Sequence, residues 1–200
     1  MTQQPLQHRR RRRSALLDLL KTAAQALLIF VILSSLIGRF EIHQVSMEPT
    51  FHEGQRVLVS KLGSLWSSLF IRTAHAAEGR QDTPFALKRG QIVVFFKSSS
   101  RDEDALIKRV IGLPGDTIEL RAGGVLVNGA LLDEPYVNGA TTECSNTCGP
   151  LLLGPNQYFV LGDNRTNSLD SRVFGPIPAS QIVGRVVARY WPPERIAVYP

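Results

Sequence analysis

Cysteine is nearly absent from this chain: Cys144 and Cys148 are the only two, spaced C-x3-C in a loop of Thr, Ser, Asn and Gly. Two thiols with no neighbouring histidine do not make a zinc site, so no metal is expected. In an oxidising compartment the pair closes a small disulfide loop; in a reducing one it stays as two thiols. The disulfide is the expectation, and so short a loop shapes the surface more than it stabilises the fold. Internal repeats are missing, and so is a second long apolar run. Beyond one run near the N-terminus, no long stretch has helical periodicity, which excludes a helical bundle. None of His43, His52 and His75 has an aspartate in a recognisable orienting role, which argues against a serine–histidine–aspartate triad.

What is present is uneven in charge. The chain has 200 residues, 44% hydrophobic and 20% charged, with 23 Lys and Arg against 17 Asp and Glu. That suits one folded domain plus an anchor and excludes extensive disorder. Residues 9–13 are all arginine, and the net charge is +6. Such a run binds nucleic acid or is solvated, and the adjoining segment decides between the two. Residues 22–38 read TAAQALLIFVILSSLIG, free of charge. Counted from residue 15, the segment reaches the roughly 20 residues that cross a bilayer. The division expected is a cytoplasmic basic tail at 1–14, a transmembrane anchor at 15–38 and an extracytoplasmic domain at 39–200. Arginines ahead of the apolar run keep that end in the cytoplasm. A cleaved secretory leader starts the same way, but no small-x-small site comes directly after Gly38.

After the anchor come short alternating runs split by Gly, Pro and Asp: residues 56–60, 91–96, 106–111, 117–120, 124–127, 158–161 and 182–190. Their β-branched and aromatic content predicts a mainly β, antiparallel domain, a sheet or partly open barrel. Asn128-Gly129 marks a hairpin turn. Residues 62–86 stand apart as an insertion-like segment, apolar and aromatic at 62–71. It either packs on the core or dips into a membrane interface. It also holds Ala74-His75-Ala76, a small-x-small match open to self-cleavage.

Three blocks carry the chemistry: Ser46-Met47-Glu48-Pro49-Thr50, Ile107-Lys108-Arg109, and Gly162-Asp163-Asn164-Arg165 with Ser168 and Asp170-Ser171-Arg172 just beyond. A serine hydroxyl is nearly inert at neutral pH and needs a base within about 3 Å. A lysine serves only when desolvation brings its pKa towards neutrality, and the apolar flanks of Lys108 suit that. Arg109 is read as structural, pairing with a carboxylate behind the strand. Alone, these blocks read as a surface lysine and an Asx-rich turn.

In this order, with Lys108-Arg109-Val110-Ile111-Gly112-Leu113-Pro114-Gly115-Asp116, they resemble the type I signal peptidases over about residues 40–191. The resemblance implies a membrane-bound serine endopeptidase with a Ser46/Lys108 dyad, no metal and no organic cofactor. It implies that Ser168 hydrogen-bonds the Lys108 amine, that Asp170 and Arg172 form a supporting ion pair, and that Gly162–Arg165 shape the floor beside the dyad. The oxyanion donors are the Ser46 N–H and Gln44, which stands where many relatives carry serine or glycine. Phe40, Ile42, Met47 and Ile107 match the walls of pockets for small residues at −1 and −3. The partners implied are exported preproteins and the bilayer, not nucleic acid, with the chain a monomer in a cell or thylakoid membrane. Two other readings are a self-cleaving Ser/Lys repressor-type protein and a membrane-tethered, non-enzymatic β binding domain.

Overall fold

A computed structural model describes residues 5–61, 87–97 and 104–199. The segment at 62–86, with its small-x-small match, lies outside the described residues. The chain divides into two units, residues 1–36 and residues 37–200.

The first unit is one helix, α1 (Pro5–Leu36). It begins ahead of the arginine run, which is therefore helical rather than an irregular tail. Its stretch Asp18–Leu36, 19 residues, is long and apolar enough to cross a membrane. Leu27, Leu28, Ile29, Phe30 and Val31 are all more than half exposed, so the helix is apolar on every side. Ile37 and Gly38, read from sequence as the end of the anchor, instead begin the first strand. The cause is long-range: Ile37 pairs with Ser60 and Gly38 with Val59. Backbone pairing, not loss of apolarity, ends the helix there.

The second unit is built from β1 (Ile37–Glu41), β2 (Arg56–Ser60), β3 (Ile92–Phe95), β4 (Leu106–Gly112), β5 (Thr117–Arg121) and β6 (Gly124–Val127). It continues with β7 (Ala130–Leu131), β8 (Leu151–Leu152), β9 (Gln157–Leu161), the single-turn α2 (Ser171–Phe174), β10 (Ile177–Pro178), β11 (Ile182–Trp191) and β12 (Ala197–Val198). An eight-stranded sheet runs β1-β2-β11-β3-β4-β9-β10, with β12 on β11, and a four-stranded sheet runs β7-β6-β5-β8. Among the described residues every ladder is antiparallel. Among the described residues the large sheet does not close, with β1 and β10 at its edges. A mainly antiparallel β domain with an N-terminal apolar helix is the expected class.

Side chains alternate across a strand, and β3 uses both faces. Val93 and Phe95 join one apolar cluster with Val110, Tyr158 and Val160. Ile92 and Val94 join another with Met47, Phe51, Val57 and Val59. A third cluster, around Ile111, Ile118, Phe159 and Leu161, lies between the two sheets' strands. The hairpin of β6 and β7 turns through Asn128 and Gly129, both at positive φ (54° and 80°), as an Asn-Gly turn requires. The site elements are thereby fixed from below: β4 sits between β3 and β9, and β9 leads directly into the loop that carries residues 162–170.

Candidate active site

Ser46 sits in a single 3-10 turn, Val45–Met47, held from beneath by Met47 and by Phe51, both fully buried. Two backbone bonds close the turn: Glu48 N–H to the Val45 carbonyl at 3.1 Å and Phe51 N–H to the Met47 carbonyl at 2.8 Å. Lys108 lies on β4 opposite Val93 and is 1% exposed. Its Nζ donates to Ser46 Oγ at 2.7 Å and to the Ile107 carbonyl at 3.0 Å. Burial lowers the Lys108 pKa from 10.5 to about 8, against the carboxylates of Asp170 and Asp163, which raise it. Near neutrality a minority of such amines are free of their proton and able to take another. His43 is exposed and His52 turns to Glu48 at 3.2 Å, so neither stands in for Lys108.

The loop after β9 forms the other wall. The Asp170–Arg172 ion pair is buried and two-pronged, Nε to Oδ1 at 2.8 Å and Nη2 to Oδ2 at 2.9 Å. Asp170 also accepts from the Gly162 N–H at 3.0 Å, which ties the pair to the floor of the site. Arg109 does pair with a carboxylate behind the strand, and its partner is Asp163: Nε to Oδ1 at 2.8 Å and Nη2 to Oδ2 at 2.6 Å. Thr50 donates to the same carboxylate at 2.6 Å. The Arg109 guanidinium stacks 3.9 Å from the centre of the Tyr136 ring. Burial, then neighbouring Glu134, pushes the Tyr136 hydroxyl well above its ordinary pKa, so it stays protonated and bonds Glu134 at 2.9 Å. Glu134 in turn pairs with buried Arg165, whose Nε donates to the Gly162 carbonyl at 3.0 Å. Thr50, Glu134 and Tyr136 went unread as site residues, and Asp163 was placed in the floor without its arginine partner. Their partners are far away in sequence, and only the arginines hinted at carboxylates to match.

One expected contact is not made. Ser168 Oγ is buried without a hydrogen-bond partner, and the Lys108 amine turns to Ser46 and to its own strand's Ile107 carbonyl instead. The hydroxyl lies against Gly162, where a Cβ would come within 2.2 Å of it. A buried hydroxyl with no partner costs stability, so Ser168→Ala is expected to raise unfolding free energy by about 1 kcal/mol. Urea denaturation reads this, and a loss of that size would mean that the hydroxyl is bonded.

Gln44 precedes the Ser46 turn with extended backbone (φ −129°, ψ 147°) and an exposed side chain. Phe40, Ile42, Met47 and Ile107 come together in one apolar cluster, Phe40 half-buried at its margin. Cys144 and Cys148 are joined by a disulfide. Inside that loop the N–H groups of Asn146 and Thr147 both reach the Arg172 carbonyl at 2.9 Å, so the loop is seated on the segment carrying the Asp170–Arg172 pair. Among the described residues no cluster of His, Cys, Asp and Glu could hold a metal ion.

Residues 16–191 match the family model described as signal peptidase, peptidase S26. A probable signal peptidase I-2 from Synechocystis sp. is 34% identical over 187 residues, which is 91% of this chain and 76% of that one. Signal peptidase IB of Staphylococcus aureus is 32% identical over 192 residues, covering 87% of this chain and 88% of its own. A solved signal peptidase I from Enterococcus faecalis V583 superimposes on half of this chain and 97% of its own, with a TM-score of 0.42 and 32% identity. A match that spans both α1 and the β unit, with relatives at this identity over most of their length, makes the chain a member of the signal peptidase family, peptidase S26.

Proposed function

We propose that the chain is a membrane-bound serine endopeptidase that removes signal peptides from exported preproteins, with Ser46 as nucleophile and Lys108 as its base. The observation that carries this reading is the 2.7 Å contact between a buried lysine amine and a buried serine hydroxyl, in a member of this family. When Lys108 is neutral, Ser46 O–H donates to Nζ. The oxygen then attacks the scissile carbonyl, an O–C bond forms and the proton passes to Lys108. The negative oxygen that results is received by the Ser46 N–H, with Gln44 as second donor. Collapse breaks the C–N bond, and Lys108 returns the proton to the departing amine. Water, deprotonated by the same lysine, then opens the ester and restores Ser46.

Asp170, Arg172 and Gly162 support the dyad from the loop behind it. The substrate binds extended, and its small residues at −1 and −3 enter pockets walled by Phe40, Ile42, Met47 and Ile107. The apolar span of α1 anchors the domain in the cell membrane, with the arginine end cytoplasmic and the β unit outside.

The test is cleavage of a preprotein bearing an Ala-x-Ala site by the full chain in detergent. A single cut after the second alanine is expected, slowed by about 10³-fold or more in Ser46→Ala. Cleavage that continues at the same site in Ser46→Ala would remove the assignment of the nucleophile.

A further inference from the structure

The Ser46 turn is gripped from across the site by Asn164. The Asn164 backbone N–H donates to the Ser46 carbonyl at 3.1 Å, and its side-chain Nδ2 donates to the Val45 carbonyl at 3.2 Å. These two carbonyls flank the nucleophile on either side. The Val45 carbonyl also shares one planar trans peptide with the Ser46 N–H, and the two point in opposite directions. Two donors hold the Val45 oxygen and so aim the Ser46 N–H: the Glu48 N–H from within the turn at 3.1 Å, and Asn164 Nδ2 from across the site. Asn164 is itself well held. Thr166 Oγ1 donates to its Oδ1 at 3.0 Å, which turns Nδ2 towards the turn and settles the orientation of the amide. Its neighbours on both sides, Asp163 and Arg165, are locked in buried ion pairs with Arg109 and Glu134.

We infer that Asn164 is a positioning residue for the oxyanion hole: its side-chain amide, together with the Glu48 N–H, sets the plane of the Val45–Ser46 peptide and so aims the Ser46 N–H at the developing negative oxygen. The inference rests on the Ser46/Lys108 peptidase reading and adds to it a residue outside the bonds that Lys108 makes. Preorganised donors matter because the oxygen gains charge only on the way to the tetrahedral intermediate, so their misalignment weakens the transition state more than the bound substrate. Asn164 is half-buried, and leucine is an uncharged near-isostere of it that lacks the donor.

The experiment compares wild type, Asn164→Leu and Thr166→Val, all as full chains in detergent. Three readouts are used: kcat and KM on a preprotein, inhibition by a peptide aldehyde, and preprotein affinity with each change placed in a Ser46→Ala background. The aldehyde adds to Ser46 Oγ as a hemiacetal, placing its oxygen where the oxyanion forms. For Asn164→Leu, kcat is expected to fall roughly 10–100-fold and aldehyde affinity by a similar factor, with KM and preprotein affinity held within about threefold. The pH at which the rate is half-maximal is expected to stay where wild type has it. Thr166→Val, which frees the amide to turn over, is expected to show the same pattern at several-fold, and it carries the test if Asn164→Leu does not fold. Unchanged kcat in both variants overturns the inference. So does a loss shared equally by preprotein affinity, or a pH midpoint moved by a full unit, which would place the effect on Lys108. A wild type that does not cleave, or a Ser46→Ala that still does, defeats the peptidase reading itself and is separable from each of these.

Discussion

Lys108→Met is expected to abolish cleavage and, at neutral pH, to make the domain more stable. Methionine keeps the length and apolar stem of lysine and removes only the amine, which is 1% exposed in the native chain. Burial has lowered that amine's pKa from 10.5 to about 8. Each pKa unit is about 1.4 kcal/mol, so holding the ammonium inside costs on the order of 3 kcal/mol at pH 7. Part of that gain is given back with the lost bond to Ser46, leaving an expected increase of about 2 kcal/mol. The sign of the pH dependence comes from the same shift. Below about pH 8 both folded and unfolded chains carry the proton and the penalty is constant. Between about 8 and 10.5 the unfolded chain binds more protons than the folded one, so the wild type gains stability as pH rises. The variant lacks this rise. Catalysis moves in the same direction: only the neutral amine accepts the serine proton, so the cleavage rate is expected to climb with pH about a midpoint near 8. Denaturation curves at pH 7 and pH 10 and rate profiles across that range check all three. Cleavage within tenfold of wild type, or a variant clearly less stable at pH 7, would reject the role given to Lys108.

Gly162→Ala is expected to cost both activity and stability, for want of space rather than of backbone freedom. A Cβ there would meet Ser168 Oγ at 2.2 Å and the Ser46 carbonyl at 2.5 Å. The serine hydroxyl can swing aside, but the Ser168 Cβ at 2.6 Å cannot, and the carbonyl belongs to the turn that carries Ser46. That turn must therefore move, and overpacking of this kind costs about 1–3 kcal/mol. A shift of even 1 Å in a reacting group is worth about a hundredfold in rate, so kcat is expected to fall by at least that much. Adding Ser168→Ala removes the hydroxyl contact but leaves the Cβ of residue 168 at 2.6 Å and the Ser46 carbonyl at 2.5 Å, so it is expected not to restore the rate. Thermal denaturation and kcat together read the result. A Gly162→Ala enzyme of normal rate would mean that the floor beneath Ser46 yields without consequence.

Much of the β unit was legible because it depends on period-two patterning, which is a property of neighbours. The runs at 56–60 and 124–127 are strands over those same residues, and Asn128-Gly129 turns the chain as its positive-φ preference requires. The strands that went unread are mostly two residues long: β7, β8, β10 and β12. They have no pattern of their own and exist because a neighbouring strand offers them partners. β1 was hidden differently. Ile37 and Gly38 continue an apolar run, and only pairing with β2 separates them from the helix.

Ser46 and Lys108, the proposed dyad, and the Asp170–Arg172 pair could be picked out from the linear chain because each sits inside a recognisable local block. A charged run before an apolar one likewise pointed to a single apolar helix ahead of the β unit. Contacts between blocks were beyond its reach. Whether Lys108 turns to Ser168 or stays with Ser46 and Ile107, which carboxylate Arg109 takes, and that Asn164 grips the peptide before the nucleophile were decided by tertiary structure alone. The physical reason is one of range. Composition and periodicity act through adjacent residues, whereas a buried charge or amide finds its partner in whatever the fold brings within about 3 Å, however distant in sequence.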